Sequence, residues 1–335
     1  MLQVRFGIIG TNWITERFIQ AAMENDRFTL TAVYSRTAEK GSEFASKYDP
    51  RPAVYTDISE MAASPDVDAV YIASPNSFHA EQAILCMKAG KHVLCEKPLA
   101  SNTAEVQAMV DAARNSNVLL MEGMKSTQMP NFKAVRDHLY KLGRIRRYVA
   151  SYGQYSSRYD AFLAGTVLNA FNPQFSNGSL MDLGVYCIYP AAVLFGRPES
   201  IKSEGILLSS GVDGEGSLLL RYPEMDAVIM HSKISDSYLP AEIQGENGTM
   251  VIDKINQPYN VKIHYRDGTI EEITQTQTHE SMYYELDEFI DVLEAGKRES
   301  EINSHEASII TAEIAEEARR QIGLVYPADQ QTADK

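Results

Sequence analysis

Over the first 125 residues short apolar runs alternate with amphipathic stretches, and no other feature of this sequence limits its fold so tightly. Val4–Ile9 is a strand-sized run followed by a helical pattern over residues 15–24, and the pair repeats at 29–34 and 38–47. Residues 69–72, 92–95 and 119–122 read as further strands, with apolar residues at helical spacing over 76–89 and 103–115. Strand, helix, strand at this rhythm requires βαβ units and a parallel sheet covered on both faces. A chain of 335 residues exceeds one ordinary core, so a second domain is expected.

After residue 125 the pattern changes. One helix is expected over 131–142, closed by Gly143, followed by an alternating strand over 145–156. Residues 200–273 read as an antiparallel meander with turns at Val212-Asp213-Gly214, Tyr222-Pro223-Glu224, Glu246-Asn247-Gly248 and Arg266-Asp267-Gly268. Two helices follow, over 281–293 and from the capping sequence Asn303-Ser304-His305-Glu306 to Gly323, and 329–335 reads as a frayed polar tail. The expected fold is an α/β Rossmann dinucleotide-binding domain over 1–125. An α+β domain with a large, mostly antiparallel open sheet follows over 126–335, for substrate binding and dimerisation. An open sheet needs covering, so a homodimer or a dimer of dimers through it is expected.

Composition narrows the partners. A net charge of −14 without a basic cluster argues against nucleic acid or an anionic membrane surface. No run approaches the roughly 18 apolar residues of a membrane span, and the first apolar run is too short for a signal peptide. Three cysteines (Cys86, Cys95, Cys187) without CxxC spacing suit a reducing cytoplasm, and neither they nor the scattered histidines suggest a metal site.

The first strand runs into Gly10-Thr11-Asn12-Trp13-Ile14-Thr15, a turn that departs from the dinucleotide pattern GxGxxG. Asn12 stands for the second glycine, tolerable because Asn visits left-handed backbone more readily than most residues. Thr15 stands for the third and implies wider helix–strand packing. Such a loop alone also occurs in proteins that bind no nucleotide. At the end of the second strand an NAD enzyme usually places Asp or Glu against the ribose 2′-hydroxyl. Here Ser35 and Arg36 stand there, able to donate to and pair with a 2′-phosphate, although Arg36 could equally be a solvated surface residue. NADP is therefore preferred as cofactor, with NAD possible.

Four further segments carry a resemblance. They are Ser74-Pro75-Asn76-Ser77-Phe78-His79, Gly90-Lys91-His92-Val93-Leu94-Cys95-Glu96-Lys97-Pro98, Gly178-Ser179-Leu180-Met181-Asp182-Leu183-Gly184-Val185-Tyr186, and Ile243-Gln244-Gly245-Glu246-Asn247-Gly248-Thr249. Together, from residue 4 to about 320, the chain resembles the glucose–fructose oxidoreductase / inositol dehydrogenase (Gfo/Idh/MocA) family, in its dihydrodiol-dehydrogenase-like branch. The resemblance implies that Ser74, Pro75, Asn76 and His79 line the nicotinamide side of the cofactor and that Glu96 meets the nicotinamide ribose. It also implies that Lys97 is the family's catalytic lysine. Asp182 and Tyr186 match its D-x-G-x-H element, with Tyr in place of His. Gln128 stands where a cation is common in relatives.

The chemistry is consistent without the family name. Interconverting a secondary alcohol and a ketone moves a hydride and a proton, and the proton needs a positioned acid or base. A tyrosine serves where a nearby cation stabilises its phenolate. Asp182 and Tyr186, four apart, would share a helical face. Tyr186 is expected as proton donor in reduction, Lys97 as its electrostatic partner, and Asp182 as orienting one of them or a substrate hydroxyl. Phe175 and Tyr155 are candidate substrate contacts, though each of these residue types taken singly is more often a cap, a core residue or a surface element. The activity expected is hydride transfer between nicotinamide and a sugar, cyclitol or dihydrodiol. An enzyme using the cofactor only transiently, as in epimerisation or elimination, and a silent NADPH-binding regulator are the alternatives.

Overall fold

In the computed structural model, which describes residues 2–333, the apolar runs of the first 125 residues form one parallel sheet. Its strands are β1 (Val4–Ile9), β2 (Phe28–Tyr34), β3 (Ala53–Tyr55), β4 (Ala69–Ile72), β5 (His92–Glu96) and β6 (Leu120–Gly123), in the order β3-β2-β1-β4-β5-β6. All pairings are parallel. Every residue of β4 and β6 is buried, as a strand covered on both faces requires. The order reverses between β1 and β4, and in such sheets ligands bind in the crevice outside the carboxyl ends of those strands.

The chain divides into two compact units. Unit 1 takes the residues through Ala100, Ala104–Lys125 and His279–His305; unit 2 takes Ser101–Thr103, Ser126–Thr278 and the residues from Glu306 on. The single boundary expected after residue 125 is thereby amended, because the chain returns to unit 1 late. The helix Ser281–Glu294 places Met282, Leu286, Phe289 and Ile290 in the same core as Phe6, Phe18 and Phe28, with the Phe6 and Phe289 rings 5.7 Å apart.

Unit 2 is built on eight strands: β7 (Ile145–Gly153), β8 (Ser200–Leu207), β9 (Asp213–Arg221), β10 (Asp226–Ser232), β11 (Ala241–Gly245), β12 (Gly248–Ile252), β13 (Val261–Tyr265) and β14 (Ile270–Glu272). Their order is β14-β13-β12-β11-β7-β10-β9-β8. The meander is interrupted by β7, which lies parallel to β10 and antiparallel to β11. One face of the sheet carries Ala227, Ile229 and Ile243, which form a core with Cys187, Ile188 and Ala191 of the helix Val185–Phe195 and Ile310 and Ile314 of the helix His305–Ile322. The helical stretch Pro173–Phe195 is long and apolar enough by composition to cross a membrane, but it is broken into separate turns and lies mostly buried in the protein.

Three local expectations change. Val212-Asp213-Gly214 is no turn: the reversal lies just before it, with Gly211 donating to the Leu208 carbonyl, and all three residues are buried. The helix expected over 131–142 is α-helical over Pro130–His138 and tightens to 3₁₀ over Leu139–Leu142 before Gly143 at φ 69°. The polar end at Asp329 is anchored rather than frayed, since the Asp329 carboxylate accepts Arg319 Nη1 at 2.6 Å within the turn beginning the helix Pro327–Ala333. Of the tail expected over 329–335, residues 334 and 335 lie outside the described residues.

Candidate active site

In unit 1, Gly10 has φ +107°, open to glycine and strained for other residues, and a Cβ there would lie 2.7 Å from the Ala73 carbonyl oxygen. Asn12 caps the helix Trp13–Ala22: its Oδ1 accepts Ile14 N at 3.0 Å and Thr15 N at 3.2 Å, and its Nδ2 donates to the Ala73 carbonyl at 2.7 Å. Its φ is −103°, so the left-handed argument for Asn12 is corrected. The side chain replaces a glycine by joining the ends of β1 and β4 and satisfying two orphan helix donors. Thr11 completes the turn, Thr15 is buried, Ile14 is half-buried, and Trp13 stands 56% exposed beside the loop.

The end of β2 separates the pair expected to meet a 2′-phosphate. Ser35 is buried, its N–H bonded to the Tyr55 carbonyl, whereas Arg36 is exposed just before Thr37, which caps the helix Ala38–Ala45. Arg36 is the better placed of the two for a surface anion.

After β4, Ser74 Oγ donates to Gln82 Oε1 at 2.7 Å, and Pro75 leads into the 3₁₀ turn Asn76–Phe78. His79 is 1% exposed, so it acts as a tie between loops rather than as a surface contact. Its Nδ1 lies 2.9 Å from the Pro98 carbonyl and its Nε2 2.8 Å from that of Ser74. Burial holds its pKa below the usual histidine value although both carbonyls pull the other way. A neutral ring can donate to only one of those carbonyls.

Glu96 and Lys97 follow at the end of β5. Glu96 is buried and accepts the Tyr71 hydroxyl at 2.7 Å, and the Tyr71 ring stacks on Phe18 with centroids 3.7 Å apart. Burial raises the Glu96 pKa while the neighbouring Lys97 charge opposes it. Two residues not singled out from the sequence share this environment. Glu285 is fully buried and its pKa is pushed well up by burial and the charge of Glu96, while burial pulls that of Lys125 down. Lys97 itself is half-buried.

In unit 2 the segment carrying Asp182 and Tyr186 is not one α-helix. Leu180–Gly184 is a π-turn, and the α-helix begins at Val185, so regular four-residue spacing does not apply. Asp182 Oδ2 lies 2.9 Å from the ammonium of Lys233, whose side chain is 3% exposed. The Tyr186 ring is buried and meets Tyr152 edge-on at 5.6 Å. The π-turn is held by a carboxylate missed in the sequence: Asp213 Oδ2 accepts Leu180 N at 2.6 Å, and burial pushes the Asp213 pKa up to about 6. His231 bonds Ser179 Oγ through Nδ1 at 2.9 Å, and burial pulls its pKa down to about 3.

Tyr155 donates to Asp160 at 2.7 Å and lies edge-on to Tyr159, with centroids 5.5 Å apart. Phe175 is half-buried and closes the 3₁₀ turn Pro173–Phe175. Gln128 is 1% exposed, which makes it a packed residue and not an open cation site. Among the described residues no group of three His, Cys, Asp or Glu side chains could hold a metal ion.

Comparison with known proteins accounts for both units. The profile described as "Oxidoreductase family, NAD-binding Rossmann fold" matches residues 4–124, and that of the "GFO/IDH/MocA C-terminal domain" matches 135–251. The chain is 60% identical to scyllo-inositol 2-dehydrogenase (NADP(+)) IolU of Bacillus subtilis, over 98% of this chain and 99% of that protein. It is 31% identical to trans-1,2-dihydrobenzene-1,2-diol dehydrogenase of Mus musculus, over 98% and 99%. The crystal structure of an aldose-aldose oxidoreductase from Caulobacter crescentus has the same fold, with a TM-score of 0.83 and 23% identity over 95% of this chain and 97% of that one. With matching domains in both units and relatives aligned end to end, the chain belongs to the GFO/IDH/MocA family of oxidoreductases.

Proposed function

We propose that this protein is an NADP-dependent dehydrogenase of cyclitols, acting on the secondary alcohol of scyllo-inositol or a close stereoisomer. The end-to-end 60% identity with the NADP-dependent inositol dehydrogenase carries the reading. The nucleotide loop fits a dinucleotide: Gly10 leaves room that any Cβ would fill, and the helix that Asn12 caps begins at the sheet's carboxyl edge, where its dipole favours an anion. Gly10, Thr11, Asn12, Trp13 and Ile14 would hold its pyrophosphate, with Arg36 at the 2′-phosphate. Ser74, Pro75, Asn76, His79 and Glu96 would lie toward its nicotinamide half. When bound, the nicotinamide supplies the hydride donor or acceptor.

The chain's own residues then handle the proton. Tyr186 gives it to the carbonyl oxygen in reduction and takes it from the alcohol in oxidation. Lys97 lowers the cost of the phenolate as a neighbouring cation would. Asp182, ion-paired with Lys233, accepts a hydrogen bond from a substrate hydroxyl. A second copy covering the outer face of the eight-stranded sheet remains part of the proposal; the exposed Ile206 and Leu219 on β8 and β9 support it.

The test is a spectrophotometric assay with scyllo-inositol and its stereoisomers, using NADP⁺ and NAD⁺ separately. Formation of reduced cofactor with NADP⁺ on a cyclitol is expected. Substrate consumption without net cofactor reduction would overturn the reading in favour of transient cofactor use. Cofactor binding with no turnover of any polyol would leave a regulator.

A further inference from the structure

Lys233 lies just beyond β10, where its backbone is fixed on both sides: its N–H donates to the Gly214 carbonyl at 2.8 Å and its carbonyl accepts Ser156 N at 2.9 Å. From that anchored position the side chain runs inward and its ammonium reaches three acceptors. They are Asp182 Oδ2 at 2.9 Å, the Ala170 carbonyl at 3.1 Å and Asn177 Oδ1 at 3.3 Å. An ammonium has three N–H donors, so these contacts saturate it. The acceptors come from three separate pieces of chain: the 3₁₀ turn Asn169–Phe171, the loop after Pro173–Phe175, and the π-turn. The Phe171 ring, with its centroid 5.3 Å from the ammonium, closes the site and packs at a tilt against Tyr159 and Phe162.

A buried lysine is costly unless its charge is matched, and among the described residues the carboxylate ion-paired with it is the one on the candidate catalytic turn. Asp182 is differently situated, with its side chain 38% exposed. One end of this pair is therefore built into the wall and the other is presented outward. We propose that Lys233 is a positioning residue for the oxidoreductase reaction: it fixes the Asp182 carboxylate as an acceptor aimed at a substrate hydroxyl beside the reacting carbon. At the same time it ties the wall segments 170–177 to the same point. The inference rests on the cyclitol dehydrogenase reading. It adds the substrate feature that the site selects, a hydroxyl neighbouring the carbon that is oxidised. A fixed carboxylate left without that hydroxyl loses its hydrogen bond, so deoxy substrates are rejected strongly.

The experiment compares wild type, Lys233→Met, Lys233→Arg, Asp182→Asn and the double variant Lys233→Met/Asp182→Asn. Each is assayed with inositol and with an inositol analogue lacking one hydroxyl. Methionine keeps the length and removes the charge. A displaced carboxylate is expected to lower kcat/KM for inositol about 100-fold, the scale of a 1 Å misplacement near the chemistry. The analogue should lose far less, so the preference for inositol collapses. NADPH affinity followed by Trp13 fluorescence should be unchanged, Lys233→Arg should recover part of the preference, and the double variant should be no worse than the worse single one.

Additive losses in the double variant, or a Lys233→Met enzyme that keeps the inositol preference, would overturn the proposal. If Lys233→Met does not fold, Asp182→Asn decides the matter, because it leaves the ties to Ala170 and Asn177 intact. Preference retained in Asp182→Asn sinks the proposal. Failure of the underlying reading shows differently: wild type would then turn over no cyclitol at all.

Discussion

Asp213, the first residue of β9, accepts the backbone N–H of Leu180, the first residue of the π-turn, at 2.6 Å. The carboxylate is fully buried, and a Cβ at Gly178 would lie 2.1 Å from its Oδ1, so chain and carboxylate fit each other closely there. Burial raises its pKa from 3.8 to about 6, against the N–H of Leu180 and the charge of Lys233. The folded protein thus holds this proton more tightly than the unfolded chain does. The associated stability is complete below pH 3.8 and is lost as pH rises through about 6. Asp213→Asn keeps an oxygen for the Leu180 N–H and cannot ionise. Relative to wild type it should gain about 2 kcal/mol between pH 4 and pH 6.5, as that pKa rise implies. Urea unfolding of both proteins across this range measures the gain, and a constant gap would show that Asp213 does not titrate there.

Asn12→Ala removes a helix cap and the bond to the Ala73 carbonyl together. A loss of about 1–2 kcal/mol is expected from the cap. Asn12→Gly would make the loop closer to the GxGxxG pattern, yet it should also be less stable than wild type, since it too loses the bond to Ala73. Urea midpoints of the three proteins settle the order.

Arg36→Ala should weaken NADPH binding roughly 10–100-fold, the range for a charge-assisted hydrogen bond of about 1.5–3 kcal/mol. NADH affinity should stay within about twofold, because NADH lacks the 2′-phosphate. Titration of Trp13 fluorescence with each dinucleotide reads both values; equal losses would assign Arg36 to the shared part of the cofactor.

Tyr186→Phe keeps the ring that packs on Tyr152 and deletes only the hydroxyl. Turnover should fall about 10²–10⁴-fold, the usual contribution of a general acid or base. Lys97→Ala should abolish turnover with NADPH affinity within a few-fold. Collapse of that affinity would make Lys97 chiefly a cofactor-binding residue.

The nucleotide-binding half is legible because its signal is local. A strand buried on both faces must be apolar throughout, as β4 is, and a glycine between strand and helix marks the loop whatever the rest of the chain does. Unit 2 depends on long-range placement. Asp213 precedes a glycine and reads as a turn, but its role is set by Leu180, which lies 33 residues earlier. Lys233 follows a strand and resembles a solvated end residue until its partner, 51 positions before it in sequence, is known. The π-turn has no compositional mark. Asp182 and Tyr186 stand out through the family resemblance, and what holds each of them in place does not show in the sequence.

The return of the chain at residues 279–305 has a bearing on how the protein is made. The face of β1 and its neighbours that Met282, Leu286, Phe289 and Ile290 cover stays bare until more than four-fifths of the polypeptide has left the ribosome. A gene fragment ending near residue 125 would encode every strand of the Rossmann sheet and still yield a sticky, aggregation-prone product. The nucleotide-binding half is therefore not a transplantable module. Grafting it onto another substrate domain would require carrying the late helix along, either in place or by circular permutation.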